Sequence, residues 1–374
     1  MSTLRPAVAL WLDPLSSTLE RDRLFDASNT PMSGERILEP YVHLRERLAE
    51  VGVPVHTADL LVKGLEPAGS LNLYATMGLW TRYPRLARRS DTILSAFLVN
   101  ECPIVQPRLY AELDRANAVF RRMFSFANDD AMGPFVRAPL HFEPFRYPYP
   151  FASVNDEAWS RGGRSFLTMI NGNKVPRLDT EELYSERLRA IAFFEARGEI
   201  DLYGVGWDGP PFRVGVTRVP KKLRRLAYLA ERRWDKIRPD PLVATARRAW
   251  RGSVASKSAT LSRYTFAICF ENQVMQGWVT EKVFDCLVAG TVPVYLGAPD
   301  VEDWVDPECF VDMRRFSGYD ELRDYLLELS PGEIQAYREA GREYFRTERF
   351  SPFTKEAFAD IFVRILAEDA EVPG

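Results

Sequence analysis

Short apolar runs alternate with longer amphipathic segments along most of the chain. In its first part the apolar runs predict five strands, at residues 7–12, 53–58, 71–77, 92–99 and 123–126. The amphipathic segments there predict helices at residues 37–51 and 108–120. This alternation is typical of βαβ units on a parallel sheet.

A stretch rich in proline and aromatic residues interrupts the pattern between residues 134 and 150. Proline opposes both a helix interior and a central strand, so we interpret this stretch as the joint between two domains. The pattern then restarts, with strands predicted at residues 165–171, 200–203, 265–270 and 292–296 and helices at residues 182–196 and 280–289. The sequence therefore predicts an α/β protein of two facing Rossmann-like domains, with the ligand in the cleft between them, beyond the carboxyl ends of the strands.

Composition and charge narrow the class of protein. The chain has 374 residues, 46% of them hydrophobic and 27% charged, which is enough for two globular domains. A net charge of −3 argues against a general nucleic-acid-binding protein. The apolar run near the N-terminus is shorter than a signal-peptide core, and no run approaches the roughly 20 residues of a membrane span, which predicts a cytoplasmic protein.

Cysteine and histidine give no sign of a metal site. The three histidines are scattered, and no two cysteines form a C-x-x-C pair. We predict that the four cysteines are buried, reduced thiols: Cys102, Cys269, Cys286 and Cys309.

The segment from residue 264 to residue 299 carries the clearest chemical signal. A predicted strand delivers Glu271 and Asn272 at its carboxyl end, and after a loop Thr280 can cap the next helix. Glu281 suits the positive end of the helix dipole, whereas Lys282 opposes it. The lysine is favourable there if a phosphate binds the same helix end. The alternative is an ordinary capping turn with a surface lysine.

The same segment resembles the donor-binding motif of the α-1,3/4-fucosyltransferases, which form glycosyltransferase family 10. The chain resembles a soluble member of this family, of the bacterial type. That motif reads F-E-N-S, Y-V-T-E-K, A-G and V-P-V with a following glycine, and this sequence has F-E-N at 270–272, W-V-T-E-K at 278–282, A-G at 289–290, V-P-V at 292–294 and Gly297. It departs from the motif at Gln273, where serine is usual, and at Trp278, where tyrosine is usual. Trp278 loses the phenol hydroxyl but can still stack and donate one hydrogen bond.

The resemblance extends upstream and implies donor-binding roles. Residues 166–174 resemble the strand of the family that ends in V-S-N, and Arg187 stands in an S-x-R helix that precedes an analogue of V-D-x-Y-G at residues 200–204. Arg187 and Lys282 are implied to bind the donor diphosphate, where they stabilise the charge of the leaving group. Glu281 is implied to bind the ribose. The remaining implied donor-side residues are Tyr203, Gly204, Glu271, Asn272, Trp278 and Thr280.

The catalytic base is implied to come from the first domain. N-E-C-P at residues 100–103 resembles the E-S-P-N segment of the family, and residues 135–140 resemble its R-x-P-L ending. This correspondence assigns Glu101 as the base that takes a proton from the acceptor hydroxyl. Glu271 is the rival base, and Glu101 is otherwise a solvated loop residue.

Together these features imply a fold of the GT-B class and transfer of fucose from GDP-fucose to a glycan hydroxyl, with inversion. Residues 1–150 are expected to form the acceptor domain, residues 151–350 the donor domain, and residues 351–374 a final helix and tail. No metal is required, because Arg187 and Lys282 supply the positive charge; stimulation by a divalent metal stays open. The alternatives are another GDP-sugar, or a non-catalytic protein that binds glycans or a membrane surface.

A basic segment at residues 213–257 stands outside the resemblance. It has 14 lysines and arginines against three acidic residues, interleaved with leucine, tyrosine and tryptophan. This pattern predicts a basic amphipathic helix. The helix either packs its apolar face on the second domain or lies on an anionic membrane, which would place the protein at the inner membrane face.

Overall fold

The computed structural model describes residues 6–29, 36–78, 80–137, 140–176, 182–214, 223–238 and 240–370. Within these residues the chain divides into two compact units. The first unit draws on the ranges 1–101, 108–152 and 350–374, and the second on 102–107 and 153–349. No helix in the described part of the chain is long and apolar enough to cross a bilayer.

The first unit is built on a six-stranded parallel sheet. Its strands are β1 (Val8–Asp13), β2 (Val55–Thr57), β3 (Leu71–Thr76), β4 (Thr92–Val99), β5 (Arg122–Ser125) and β6 (Phe142–Pro144), in the order β2-β1-β3-β4-β5-β6. Its helices up to this point are α1 (Glu39–Glu50), α2 (Ala58–Lys63), α3 (Tyr83–Leu86), α4 (Pro107–Ala111), α5 (Leu113–Asn117) and α6 (Asp129–Met132). The central strands are buried on both faces, as expected of a parallel sheet covered by helices.

The last helix of the chain, α16 (Lys355–Ala370), completes the core of the first unit. It buries Phe358, Phe362 and Ile365, which lie on one face because they are three or four residues apart. Phe358 meets Tyr41 of α1 edge to face, with ring centroids 5.3 Å apart. The first unit therefore depends on residues at both ends of the sequence.

The second unit is built on a five-stranded parallel sheet. The strands of the second unit are β7 (Ser165–Ile170), β8 (Lys174–Pro176), β9 (Ile200–Tyr203), β10 (Phe212–Val214), β11 (Tyr264–Ile268), β12 (Val292–Tyr295) and β13 (Val311–Asp312). The main sheet has the order β13-β12-β11-β7-β9, and β8 and β10 form a separate parallel pair. Its helices are α7 (Asp156–Trp159), α8 (Tyr184–Glu195), α9 (Arg224–Ile237), α10 (Pro241–Ala249), α11 (Lys257–Leu261), α12 (Glu281–Val288), α13 (Val301–Trp304), α14 (Tyr319–Glu328) and α15 (Pro331–Tyr344).

Two predictions of local structure are wrong. The proline-rich stretch at 134–150 is not only a joint, because it contains β6, which pairs with β5 and is the edge strand of the first sheet among the described residues. An edge strand tolerates Pro144, since one side of its backbone has no ladder to complete. The predicted helix at 108–120 is two short helices, α4 and α5. The prediction of buried, reduced cysteines is confirmed, since these four cysteines are buried and form no disulfide.

We expect Phe362→Ala to lower the free energy of unfolding by about 3–5 kcal/mol, because it opens a cavity in a fully buried position of α16. Guanidinium denaturation followed by tryptophan fluorescence measures the change. The control is Asp360→Ala on the exposed side of the same helix, which should stay within about 0.5 kcal/mol of the wild type. Equal denaturation midpoints for Phe362→Ala and the wild type would contradict this packing.

Candidate active site

Two neighbouring strands of the second unit end beside one buried arginine. β7 and β11 pair in parallel, so the residues that follow them lie at the same edge of the sheet. Arg187, from α8, is only 3% exposed and donates to the Phe270 carbonyl from Nε (3.1 Å) and Nη2 (2.5 Å). It also donates to the side-chain oxygens of Asn171 (3.0 Å) and Asn272 (3.2 Å).

The Arg187 guanidinium is thus held by neutral groups. Among the described residues its hydrogen-bond acceptors are one carbonyl and two amides, and the Tyr184 ring lies 4.9 Å from the guanidinium carbon. Burial lowers the pKa of Arg187, although nearby negative groups, Glu271 among them, oppose that shift. A buried cation without an ion pair is favoured when an anion binds next to it.

Glu271 is the most deeply buried carboxylate of this region, with no exposed surface. Its Oε1 accepts from the Thr280 backbone N–H and hydroxyl, both at 2.8 Å. Its Oε2 accepts from Lys282 Nζ at 2.9 Å, and Nζ also lies 2.7 Å from the Thr280 hydroxyl. Glu271 therefore fixes the start of α12 and the lysine in its first turn. A carboxylate so enclosed has no access to an acceptor hydroxyl, which argues against Glu271 as the base.

Lys282 and Glu281 stay charged because each lies close to side chains of the opposite charge. Burial alone would lower the pKa of Lys282, but the carboxylates of Glu271 and Glu281 raise it above its ordinary value. Burial alone would raise the pKa of Glu281, but Lys282 and Lys257 lower it to about 2. The two cations contact adjacent residues, since Arg187 donates to the Phe270 carbonyl and Lys282 donates to the Glu271 carboxylate.

The predicted N-cap position of Thr280 is confirmed, but the capping hydrogen bond of its side chain is not found. Thr280 stands at the N-cap position of α12, but its hydroxyl makes no capping hydrogen bond. The hydroxyl contacts Glu271 and Lys282 instead. The physical reason is the burial of Glu271, since a carboxylate removed from water needs donors for both of its oxygens.

Two glycines of the fucosyltransferase-like motifs, Gly204 and Gly297, allow neighbouring groups to pack closely in this region. Gly204 follows β9 with φ of +132°, and a Cβ there would lie 2.1 Å from the Asn171 carbonyl oxygen. A Cβ on Gly297 would lie 2.5 Å from Cγ of Glu271 and 2.5 Å from the Tyr295 hydroxyl. Gly204 thus permits the position of Asn171, and Gly297 permits the position of Glu271.

The structure does not bring the Tyr203 hydroxyl to the two cations. It lies 3.0 Å from the hydroxyl of Tyr264, which in turn donates to Asp201. Trp278 is buried, at 4% exposure, and its backbone carbonyl accepts from the Tyr295 hydroxyl at 3.4 Å. Gln273 stands where the motif has serine, and its longer side chain accepts a hydrogen bond from the Ile104 backbone N–H at 3.4 Å.

Glu101 lies in the first unit, two residues after β4, and its side chain is partly buried. Its backbone carbonyl accepts from the Tyr110 hydroxyl at 2.8 Å. Residues 102–107, which follow it directly, belong to the second unit. The role of its carboxylate as the base stays a prediction.

Several residues of these sites were not predicted. In the second unit they are Asn171 and the ion pair of Lys257 with Asp285, whose atoms are 2.6 Å apart. Asn171 could have been found from the sequence, because it ends the strand predicted at residues 165–171. In the first unit, Asp13 ends β1 fully buried, and burial raises its pKa to about 6 although Tyr74 and Arg82 donate to it.

We expect Gly297→Ala to lower the free energy of unfolding by about 1–3 kcal/mol, because the added methyl group displaces Glu271 or Tyr295. Thermal and chemical denaturation measure the loss. Gly162→Ala is the matched control, since a Cβ there meets nothing within 4 Å. If both variants unfold like the wild type, the packing of Gly297 against Glu271 is not as described.

Glu281 predicts a dependence of stability on pH. An unfolded glutamate titrates near pH 4.3, whereas the pKa of Glu281 in the folded protein is about 2. The folded protein binds this proton more weakly, so the carboxylate stabilises the fold above about pH 5, and that contribution is lost as the pH falls towards 2. We expect Glu281→Gln to lose less stability than the wild type between pH 6 and 3, with a difference on the order of 2 kcal/mol. Identical pH profiles would contradict the assignment.

A known protein family and individual known proteins are similar to parts of this chain. Residues 242–359 match the family model "Glycosyltransferase family 10 (fucosyltransferase) C-term", a segment that includes Glu271 and Lys282. The alpha-(1,3)-fucosyltransferase FucT of Helicobacter pylori is 40% identical over 74 residues, which are 20% of this chain and 16% of that protein. GDP-fucose protein O-fucosyltransferase 3 of Xenopus laevis is 39% identical over 74 residues, with the same coverage. The alignments thus span about a sixth of the length of these two relatives.

Similarity over nearly the whole chain is seen with a solved structure. Anabaena Alr3699/HepE, solved in complex with UDP-glucose, has a TM-score of 0.51 and 12% identity, covering 96% of this chain and 99% of that one. At this identity the likeness shows the fold alone. Together with the two parallel sheets, it confirms the predicted α/β fold of the GT-B class. The predicted resemblance to the α-1,3/4-fucosyltransferases is confirmed over residues 242–359, which match the C-terminal domain of glycosyltransferase family 10.

Proposed function

We propose that this chain is an inverting glycosyltransferase that moves fucose from GDP-fucose to a hydroxyl of a glycan acceptor. The observation that carries the proposal is a pair of cations beyond the carboxyl ends of β7 and β11: the buried Arg187 on the Phe270 carbonyl and the partly buried Lys282 on the Glu271 carboxylate. A nucleotide diphosphate carries the opposite charge, and it becomes more negative as a glycosidic bond to it breaks.

In the proposed donor complex, Arg187 and Lys282 contact the diphosphate. Arg187 is anchored through Nε and Nη2 on the Phe270 carbonyl, and Lys282 through Nζ on Glu271, so neither cation needs to be ordered when the donor arrives. Glu281 accepts hydrogen bonds from the ribose hydroxyls. Its low pKa keeps it an acceptor throughout the neutral range.

The proposed reaction is a single displacement at the anomeric carbon of fucose. Glu101 removes the proton of an acceptor hydroxyl, and the resulting oxygen forms the new bond as the bond to the β-phosphate oxygen breaks. The electron pair of the broken bond passes to GDP, where Arg187 and Lys282 stabilise it. Attack from the face opposite the leaving group inverts the configuration, through an oxocarbenium-like transition state.

The donor assignment is supported by the family model that matches residues 242–359 and by two similar proteins. These two proteins are an alpha-(1,3)-fucosyltransferase and a GDP-fucose protein O-fucosyltransferase. A different GDP-sugar is the second candidate, because the buried Trp278 replaces the usual tyrosine of the motif. We also propose that no metal is required, since the two cations act on the leaving group directly.

Release of GDP from a panel of GDP-sugars, with and without glycan acceptors, tests the proposal. We expect GDP-fucose to be turned over, and EDTA to leave the rate unchanged within about twofold. Glu101→Gln should lower kcat roughly 10²–10⁴-fold without weakening donor binding. Arg187→Ala should lower kcat/KM about 10²–10³-fold, because it removes one of the two cations that stabilise the leaving group.

The matched control for Arg187→Ala is Arg189→Ala on the same helix, whose side chain is 56% exposed and paired with Glu186. It should keep the activity of the wild type. Turnover of another GDP-sugar in preference to GDP-fucose would retain the donor site but replace the sugar. If no GDP-sugar is bound or turned over, the proposal is wrong.

A further inference from the structure

Helix α9 presents an apolar stripe to solvent. Leu226, Trp234 and Ile237 are 63%, 62% and 69% exposed, and Leu223, just before the helix, is 50% exposed. These positions are spaced by three, eight and three residues, which places them along one side of a helix. Of the two alternatives for the basic segment, packing on the second domain therefore does not hold for these exposed side chains of α9.

The neighbouring helix α10 behaves in the opposite way. Its Val243, Ala246 and Ala249 are buried in the core of the second unit. The packing prediction is thus confirmed for α10, which anchors the C-terminal end of α9 to the second unit. Residues 215–222 and 239 of the basic segment, including Lys221 and Lys222, lie outside the described residues.

Arginines flank the apolar stripe. Arg233 directly precedes Trp234, and Arg238 directly follows Ile237; both are exposed. Successive residues of a helix are about 100° apart, so Arg233 stands beside the stripe rather than opposite it. Arg238 is the C-cap residue and follows the stripe at the end of the helix. Arginine can extend its charged end past an apolar surface to reach phosphate groups at the edge of that surface.

The charge of this segment is opposite to that of the remaining chain. Residues 213–257 carry 14 basic and three acidic residues, a net charge of +11, whereas the whole chain carries −3. The other residues therefore carry a net charge of −14. An anionic surface attracts the basic segment and repels the remaining protein, so this charge distribution selects both the binding face and its orientation.

We propose that α9 lies on the surface of an anionic lipid bilayer, with Leu226, Trp234 and Ile237 among the acyl chains and Arg233 and Arg238 on the lipid phosphates. An anionic bilayer is favoured as the partner because it offers an apolar layer bordered by phosphates, which matches an apolar stripe bordered by arginines. Tryptophan is also enriched at the interface between bilayer and water. The proposal does not depend on the proposed transfer of fucose.

Flotation of the full chain with lipid vesicles tests the proposal. We expect binding to vesicles of phosphatidylcholine with about 30% phosphatidylglycerol, and at least tenfold weaker binding to phosphatidylcholine alone. Arg233→Glu with Arg238→Glu should weaken binding at least tenfold, because each basic residue near the surface contributes about a fivefold factor. Leu226→Ser with Trp234→Ser should also weaken it at least tenfold, because the inserted apolar area is lost.

Matched double variants control for charge and for apolar surface. Arg85→Glu with Arg88→Glu makes the same change in net charge at exposed positions of the first unit. Leu65→Ser with Leu327→Ser removes two leucines that are 59% and 51% exposed elsewhere. Both controls should bind within about threefold of the wild type, and circular dichroism should show all variants folded.

Three outcomes overturn the proposal. The first is no binding to anionic vesicles at about 0.1 M salt. The second is an equal loss of binding in the control variants. The third is self-association in sedimentation velocity that Leu226→Ser with Trp234→Ser abolishes while vesicles bind nothing, because a second copy of the chain then covers the apolar stripe.

Discussion

The ion pair between Glu271 and Lys282 is the constraint on which the candidate active site depends. It joins the end of β11 to the first turn of α12, and it does so with no exposed carboxylate surface. Removing one partner of such a pair leaves an uncompensated buried charge, which typically costs about 3–5 kcal/mol. Thr280 and Gly297 support this pair. The N–H and hydroxyl of Thr280 both donate to Glu271, and Gly297 leaves room for the Glu271 side chain.

This arrangement explains how a lysine can occupy the positive end of a helix. Lys282 opposes the dipole of α12, but Glu271 and Glu281 raise its pKa, so it stays charged. Arg187 has no such carboxylate contact among the described residues and rests on the carbonyl of Phe270. The site therefore holds one cation that is paired and one that is held by neutral dipoles, and a bound diphosphate would neutralise the second.

Much of the fold and of the candidate active site could be predicted from the sequence, because the spacing of hydrophobic residues and the positions at which strands end determine them. The strand that delivers Glu271 and the helix that carries Lys282 follow from apolar runs of the expected length. The use of the Thr280 hydroxyl could not be predicted, since it depends on how deeply Glu271 is buried. The exposed stripe of α9 could not be predicted either, because an amphipathic pattern does not say whether its apolar face meets protein or solvent.

Calorimetric titration of GDP and GMP tests the central claim, that Arg187 and Lys282 form a diphosphate site. The account predicts that GDP binds the wild type at least tenfold more tightly than GMP, since the second phosphate reaches the two cations. The preference should fall to less than about threefold in Arg187→Gln and in Lys282→Gln. Equal affinities of GDP and GMP for the wild type, or a preference that survives in both variants, would contradict it.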